Sequence, residues 1–188
     1  MEYIIKKLSL LVILLAVFVA STYAVNILQN SSLALDQQLK TLEESFNGRI
    51  GVYAIDTNSD QVLGYRADEY FPVQSTMKLI AVAALLQQST IDKNLLHKKI
   101  KYTKRDLITW HPITGKYLNS GMTLEELAAA AISYSDNVAA NIIIKTLGGP
   151  EGVTKFARSI GNNSFDVSHY EGNLNSNPNN LEDTVTPL

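Results

Sequence analysis

A mixed α/β fold with a helical subdomain is predicted for this 188-residue chain by three observations. Residues 49–66 carry two stretches rich in β-branched and aromatic residues on either side of a polar turn. Residues 76–88 form an Ala- and Leu-rich apolar run too long for a typical strand. Residues 123–160 hold a capping box and a Gly-Gly-Pro break with helical apolar spacing around them.

Residues 1–24 stand apart from that fold. Lys6 and Lys7 precede an apolar run from Leu8 to Ala20, and small residues lead on to Ala24. This is the layout of a secretory signal peptide cleaved near Ala24, and it predicts a periplasmic or secreted protein. The run is shorter than the roughly 20 apolar residues a membrane span needs, and no cysteine follows it for lipid attachment. No stable membrane anchor is expected. Residues 25–188 suffice for one ordinary domain with a sizeable core.

Leu35, Leu39, Leu42 and Phe46 recur at helical spacing and predict an amphipathic helix from about Asp36 to Phe46, stopped by Asn47-Gly48. A hairpin follows, with strands Arg49 to Asp56 and Gln61 to Arg66 joined through Thr57-Asn58-Ser59-Asp60. The apolar run from Thr76 to Gln88, interrupted by Lys78, reads as a buried helix. Ser75 stands at its N-terminal end, where free N–H groups and the positive end of the helix dipole favour developing negative charge.

Thr123-Leu124-Glu125-Glu126 is a capping box. It opens a helix whose buried stripe is Leu124, Leu127, Ala128, Ala131 and Ile132, and which ends near Tyr134. Val138, Ile142 and Leu147 mark the next helix, closed by Gly148-Gly149-Pro150, so Ser135-Asp136-Asn137 falls in the joint between two helices. A short helix is predicted over Glu151 to Ile160. Gly161 to Asp183, rich in Asn and Ser, reads as a long surface loop, a kind that is usually functional or disordered. Thr186-Pro187 has the form of an N-cap and first helical residue, with no helix after it.

Composition narrows the chemistry. With Glu2, Lys6 and Lys7 set aside the net charge is −3. Lys98-Lys99-Ile100-Lys101 and Lys104-Arg105 are short, interrupted clusters that read as solvated surface, so nucleic acid is not an expected partner. The chain has no cysteine, which excludes disulfides, thiolate nucleophiles and Cys-based zinc sites. Its three histidines, His97, His111 and His169, lack the spacing that brings two imidazoles to one metal. A metal-dependent hydrolase is therefore not expected.

The chemistry-bearing motifs are Ser75-Thr76-Met77-Lys78 and Ser135-Asp136-Asn137. A Ser-x-x-Lys match alone arises about once by chance in a chain of this length, whereas Ser-Asp-Asn arises in roughly one such chain in thirty. Ser75 is a weak nucleophile until a base takes its proton, and Lys78 lies one helical turn away on the same face. Desolvation of that lysine among apolar neighbours such as Leu79 and Ile80 would favour a neutral, proton-accepting amine.

These motifs, with Glu171 and Asn175 in the long loop, resemble the signature of class A β-lactamases in the penicillin-binding and serine β-lactamase superfamily. The resemblance runs from the first helix to Leu188. It implies a β-lactamase-like fold, here a helical subdomain with an incomplete α/β sandwich, and hydrolysis of β-lactam antibiotics by a monomer through an acyl-enzyme, without metal or organic cofactor. Ser75 would be the nucleophile, Ser135 would pass a proton to the lactam nitrogen, and Glu171 would activate the hydrolytic water. Whether Glu171 or Lys78 is the base for acylation stays open. Asn137 and Trp110 would contact the substrate, and Asn175 would help hold the water beside it. Read from the residues alone, Trp110 is equally well a buried anchor. Asp136 would be structural. Asp183 would close the loop by pairing at position 169, where the family's arginine is replaced by His169, and Gly172 stands where a proline is common.

No Lys-Thr-Gly or Lys-Ser-Gly occurs. The nearest lookalike, Lys145-Thr146-Leu147-Gly148, lies at a predicted helix end. In the family the true motif follows later in the chain, on a strand that supplies an oxyanion donor, and loss of one such donor costs about 10²- to 10³-fold in rate. The first hairpin would also lack its later partner strands. A product of this length is therefore expected to be unstable, aggregation-prone or inactive alone, and rapid nitrocefin hydrolysis by the monomer would contradict that. The alternatives are a penicillin-binding D,D-peptidase, whose acyl adduct would persist, and a non-catalytic remnant that forms none.

Overall fold

The computed structural model describes residues 33–175 and 181–188; the proposed signal peptide lies outside them. The described chain forms two compact units, one reaching Ala67 and including Leu188, the other Asp68–Pro187.

In the first unit, helix α1 covers residues 33–46 and stops at Asn47, which takes a left-handed φ of 52°. Strands β1 (Val52–Asp56) and β2 (Gln61–Tyr65) form an antiparallel hairpin with Val52 opposite Tyr65 and Asp56 opposite Gln61. Among the described residues, each of these strands pairs only with the other. The helix does not bury the full leucine stripe expected of it: Leu42 and Phe46 are exposed, and the residue that goes in is Glu43. Its carboxylate accepts from Arg66 Nε (2.9 Å), Arg66 Nη2 (3.0 Å), the Ile50 N–H (2.7 Å) and the Tyr65 hydroxyl (2.9 Å). The Arg66 hydrogen bond, followed by that from Ile50, holds the Glu43 carboxyl down to about 2. A charge satisfied by four donors can be buried where an unpaired one cannot.

The second unit is helical at its centre. Strand β3 (Phe71–Pro72) leads through a single 3₁₀ turn, Gln74–Thr76, into helix α2 (Met77–Ile91). Strands β4 (Lys99–Ile100) and β5 (Met122–Thr123) pair antiparallel, and the long segment between them carries Trp110. Helices α3 (Leu124–Tyr134), α4 (Asn137–Thr146) and α5 (Pro150–Ser159) follow. Strand β6 (Thr184–Val185) returns to pair antiparallel with β3.

The Thr123 capping box forms as the sequence predicts, with the Glu126 N–H donating to Thr123 Oγ1 at 3.2 Å and the Thr123 N–H to Glu126 Oε2 at 2.8 Å. Pro150 occupies the first turn of α5, where its missing N–H costs nothing. Met77, Leu85, Leu124, Leu127, Ile143, Ile144 and Val153 are fully buried among α2–α5, each such side chain contributing about 1.5–3 kcal/mol.

Three expectations need correction. Helix α2 is buried on one face only: Met77, Lys78, Ala81, Val82, Ala84 and Leu85 go inward, while Leu79, Leu86 and Ile91 face solvent. Ile132 likewise lies outside the α3 stripe, and Ala130 takes its place. The segment after α5 is no simple surface loop, because Phe165, Val167 and Asp183 are buried in it and the Asp166 N–H donates to Thr184 O at 2.8 Å. In line with the sequence reading, no helix follows Thr186 among the described residues, and its hydroxyl donates to Ser164 Oγ at 2.7 Å. Among the described residues no helix is long and apolar enough to cross a membrane.

Candidate active site

Ser75 sits in the 3₁₀ turn that precedes α2 and is exposed, whereas Lys78, one turn on, is 2% exposed. Lys78 Nζ donates to Ser75 Oγ at 2.8 Å and to Ser135 Oγ at 3.2 Å. Ser135 Oγ in turn donates to Ser75 Oγ at 3.0 Å. The carboxylate of Glu171 approaches the same ammonium, with Oε1 2.5 Å from Nζ. That oxygen is buried and, among the described residues, receives no aligned hydrogen bond, its polar contact there being the ionic one with Lys78. The polar contacts of Lys78 Nζ are therefore two hydroxyls and a carboxylate; of the two apolar neighbours the sequence suggested, Leu79 points to solvent and Ile80 packs partly buried against the core.

The joint between α3 and α4 is built to present Ser135. Helix α3 ends on Ser135 in the left-handed conformation (φ 54°, ψ 35°), which turns the chain so that Asp136 can cap α4. Asp136 is fully buried. It accepts from the Ala139 N–H at 3.0 Å, the Ile113 N–H at 3.0 Å, and the Thr114 N–H and hydroxyl both at 2.9 Å. One carboxylate thus fixes the joint to the segment bearing Trp110. Tyr102 braces the same place: its hydroxyl donates to Thr114 O at 2.9 Å, and burial, with the Asp136 charge second, pushes its phenol up to about 12. Asp136→Ala is expected to lower stability by about 3 kcal/mol, because several buried donors lose their acceptor together. Thermal or urea unfolding of the variant checks this.

Asn137 opens α4 with its N–H on Trp110 O at 3.0 Å and its Nδ2 on Thr109 O at 2.9 Å. Trp110 is 60% exposed, so it is no buried anchor. Its Nε1 donates to Tyr134 O at 2.9 Å, which fixes the ring at the surface beside the joint.

The loop carrying Glu171 is held from both ends. Asn141, four residues after Asn137 on α4, clamps the Glu171 backbone: Oδ1 accepts its N–H at 2.9 Å and Nδ2 donates to its carbonyl at 3.1 Å. Sequence reading passed over Asn141, although the i, i+4 spacing from Asn137 was the available signal. At the other end Asp183 Oδ1 accepts the N–H groups of Ser168 (2.8 Å) and His169 (3.1 Å), while Oδ2 meets His169 Nδ1 (2.8 Å) and the Asn175 N–H (3.1 Å). His169 thus takes the loop-closing position opposite Asp183. Gly172 has φ +101°, a conformation closed to proline, whose ring fixes φ near −65°. Asn175 Oδ1 accepts the Gln74 N–H at 3.1 Å, and its Nδ2 donates to Asp183 O at 2.6 Å.

Burial opposes ionisation of Asp183, but the Ser168 N–H, His169 and the Asn175 N–H outweigh it and hold the carboxyl below its ordinary value of 3.8. A lowered native value means that the unfolded chain binds this proton more tightly. The anchoring is expected to be complete above pH 3.8 and to be lost as pH falls through the native value. Thermal midpoints titrated into acid should fall more steeply for the parent chain than for Asp183→Asn.

The family model described as "Beta-lactamase enzyme family" matches residues 34–187. The chain is 51% identical over 166 residues to β-lactamase SME-1 of Serratia marcescens, covering 87% of this chain and 56% of that protein. It is 49% identical over 147 residues to a carbapenem-hydrolyzing β-lactamase KPC of Klebsiella oxytoca, covering 78% and 50%. Among solved structures, a β-lactamase from Desulfarculus baarsii superposes with a TM-score of 0.79 at 39% identity, covering 83% of this chain and 58% of that one. A variant of the last common ancestor of Gram-negative class A β-lactamases gives 0.78 at 44%, covering 81% and 58%. A hydroxyl, an amine, a second hydroxyl and a carboxylate joined in one cluster are the equipment of covalent acyl transfer. The chain belongs to the β-lactamase enzyme family, in its class A branch. It spans a little over half the length of the relatives it matches.

Proposed function

We propose that Ser75 is the nucleophile of a serine β-lactamase that opens the lactam ring of antibiotics through an acyl-enzyme. The observation that carries this reading is the contact of Ser75 Oγ with Lys78 Nζ at 2.8 Å and Ser135 Oγ at 3.0 Å, with Glu171 2.5 Å behind the amine.

Ser75 Oγ attacks the lactam carbonyl carbon, and its proton leaves toward Lys78 and the Glu171 carboxylate. The tetrahedral adduct collapses, the C–N bond breaks, and the ring nitrogen takes a proton from Ser135, which the Lys78 ammonium replenishes. The proton first taken from Ser75 returns through Lys78, so that Glu171 is again a carboxylate when water attacks the acyl ester; the water's proton goes to Glu171 and on to Ser75 Oγ as the ester C–O bond breaks. Asn137 Nδ2 is engaged by Thr109 O, which leaves its Oδ1 for the amide N–H of a substrate side chain. The exposed Trp110 ring forms a wall of the cleft, and Asn175 stands beside the nucleophile's turn. Residues 1–24 act as the export signal, so the reaction takes place in the periplasm or outside the cell.

The test is intact-mass analysis of the purified chain after exposure to benzylpenicillin. One covalent adduct that maps to Ser75 and vanishes in Ser75→Ala is expected. A folded sample that forms no adduct would overturn the reading in favour of a non-catalytic protein, and an adduct that never decays would favour a penicillin-binding peptidase.

A further inference from the structure

We infer that Asn175 is a positioning residue for the nucleophile: its carboxamide fastens the Gln74 N–H and so holds the left-handed turn that aims Ser75. This rests on the reading of Ser75 as the nucleophile and adds a second role to Asn175, one exercised in acylation and not only when water attacks.

Gln74 immediately precedes Ser75 and has φ +47°. A residue with a Cβ leaves this region unless its surroundings hold it there. What holds it is visible on both sides. The Val73 N–H donates to Asp183 O at 2.9 Å, and the Thr76 N–H and hydroxyl both return to Val73 O. The Gln74 N–H itself goes to Asn175 Oδ1 at 3.1 Å.

Asn175 is equally committed. Its own φ is +54°, its N–H donates to Asp183 Oδ2 at 3.1 Å, and its Nδ2 donates to Asp183 O at 2.6 Å. The orientation of the carboxamide is therefore determined, since a flip would set Nδ2 against an N–H donor and Oδ1 against a carbonyl. Asp183, Asn175, Gln74 and Ser75 form one continuous chain of contacts from the loop to the nucleophile.

The consequence lies in aim. Ser75 Oγ has two partners at 2.8 and 3.0 Å, and rotation about Gln74 would carry it away from both. A misplacement of about 1 Å can cost about 10²-fold in rate. Asn175→Ala is therefore expected to slow acylation by about 10- to 100-fold in addition to any effect on deacylation. Glycine adopts positive φ without strain, so the same Asn175→Ala change is expected to cost far less when made in the Q74G background.

The experiment is a double-mutant cycle of N175A and Q74G. Acylation by a chromogenic cephalosporin is followed in single turnover, deacylation is followed separately, and exchange of the Gln74 amide hydrogen is followed in the absence of substrate. Acylation slowed by N175A, a markedly smaller loss when Q74G is present, and faster exchange at Gln74 in N175A are the expected results. Unchanged acylation with slower deacylation would overturn the proposal, as would equal losses in both backgrounds. If N175A does not fold, the same measurements on N175S, whose hydroxyl oxygen stops one bond short of the Asn175 Oδ1 position, take its place, and acylation and Gln74 exchange at the parent chain's rates then overturn the proposal. Should the parent chain form no adduct at all, the reading of Ser75 fails, and amide exchange alone decides here. Equal protection of Gln74 in parent and N175A then rejects the positioning role.

Discussion

Lys78→Ala is expected to slow acylation of Ser75 by about 10²- to 10⁴-fold, the range for losing a positioned proton-transfer group, and to destabilise the fold at the same time. Both effects follow from one position. Lys78 Nζ lies within 3.2 Å of Ser75 Oγ, Ser135 Oγ and Glu171 Oε1, so its loss removes the group through which, in the proposed mechanism, a serine proton passes toward the carboxylate. It also leaves Glu171 Oε1 buried with no partner. Breaking a buried pair by deleting one member costs about 3–5 kcal/mol, mostly as the uncompensated charge left behind. Adding Glu171→Gln to Lys78→Ala removes that charge and is expected to recover most of the stability while recovering none of the acylation. Thermal midpoints and single-turnover acylation of the two single variants and the double variant separate these effects. Equal stability of Lys78→Ala and the parent chain would contradict the ion-pair account.

What the sequence made legible was local. The hairpin strands, the Thr123 capping box, the Gly148-Gly149-Pro150 break between helices and the placement of Ser135-Asp136-Asn137 between two helices are all short-range patterns, and each is found within a few residues of where it was read. The one-turn spacing that puts Lys78 beside Ser75 is of the same kind. Burial was less legible. Leu79, Leu86, Ile91 and Ile132 are apolar residues on solvent faces, and Glu43 is a carboxylate that goes inside because four donors meet it. Composition along a helix reports apolarity, while the direction a residue faces depends on neighbours distant in the chain.

The supports of the site were the least legible. In the second unit the described non-glycine residues with positive φ are Gln74, Trp110, Ser135, Asn175 and Asp183, and all five adjoin the cluster around Ser75 and its loop. Reading glycine as the marker of left-handed turns misses every one, because these conformations are imposed by hydrogen bonds from residues far off in sequence. Asn141 clamps Glu171 across thirty residues, Asp136 reaches Thr114 across twenty-two, and Asn175 reaches Gln74 across one hundred and one. The segment after α5 looked polar and loose for the same reason: it is held by the burial of Phe165 and Val167 and by the N–H donors that meet buried Asp183, contacts that an Asn- and Ser-rich stretch does not announce.

Glu171→Gln should separate the two halves of the reaction. The amide matches the carboxylate in shape, and the Asn141 clamp acts on the Glu171 backbone, so the loop is expected to keep its place. What disappears is the ability to take a proton from water, which in a general base is worth about 10²- to 10⁴-fold. If acylation proceeds through Lys78, it survives while deacylation falls, and a penicillin adduct on Ser75 outlasts that of the parent chain by the same factor. If Glu171 is also the base for acylation, adduct formation slows with its decay. Time-resolved intact-mass spectra after a short pulse of penicillin read both rates from one sample. An adduct that forms and decays at the parent's rates would remove Glu171 from the mechanism and leave its contact with Lys78 as a structural ion pair. The clamp sharpens the comparison: Asn141→Ala should lower both rates by letting the loop move, whereas Glu171→Gln changes proton transfer with the backbone still held.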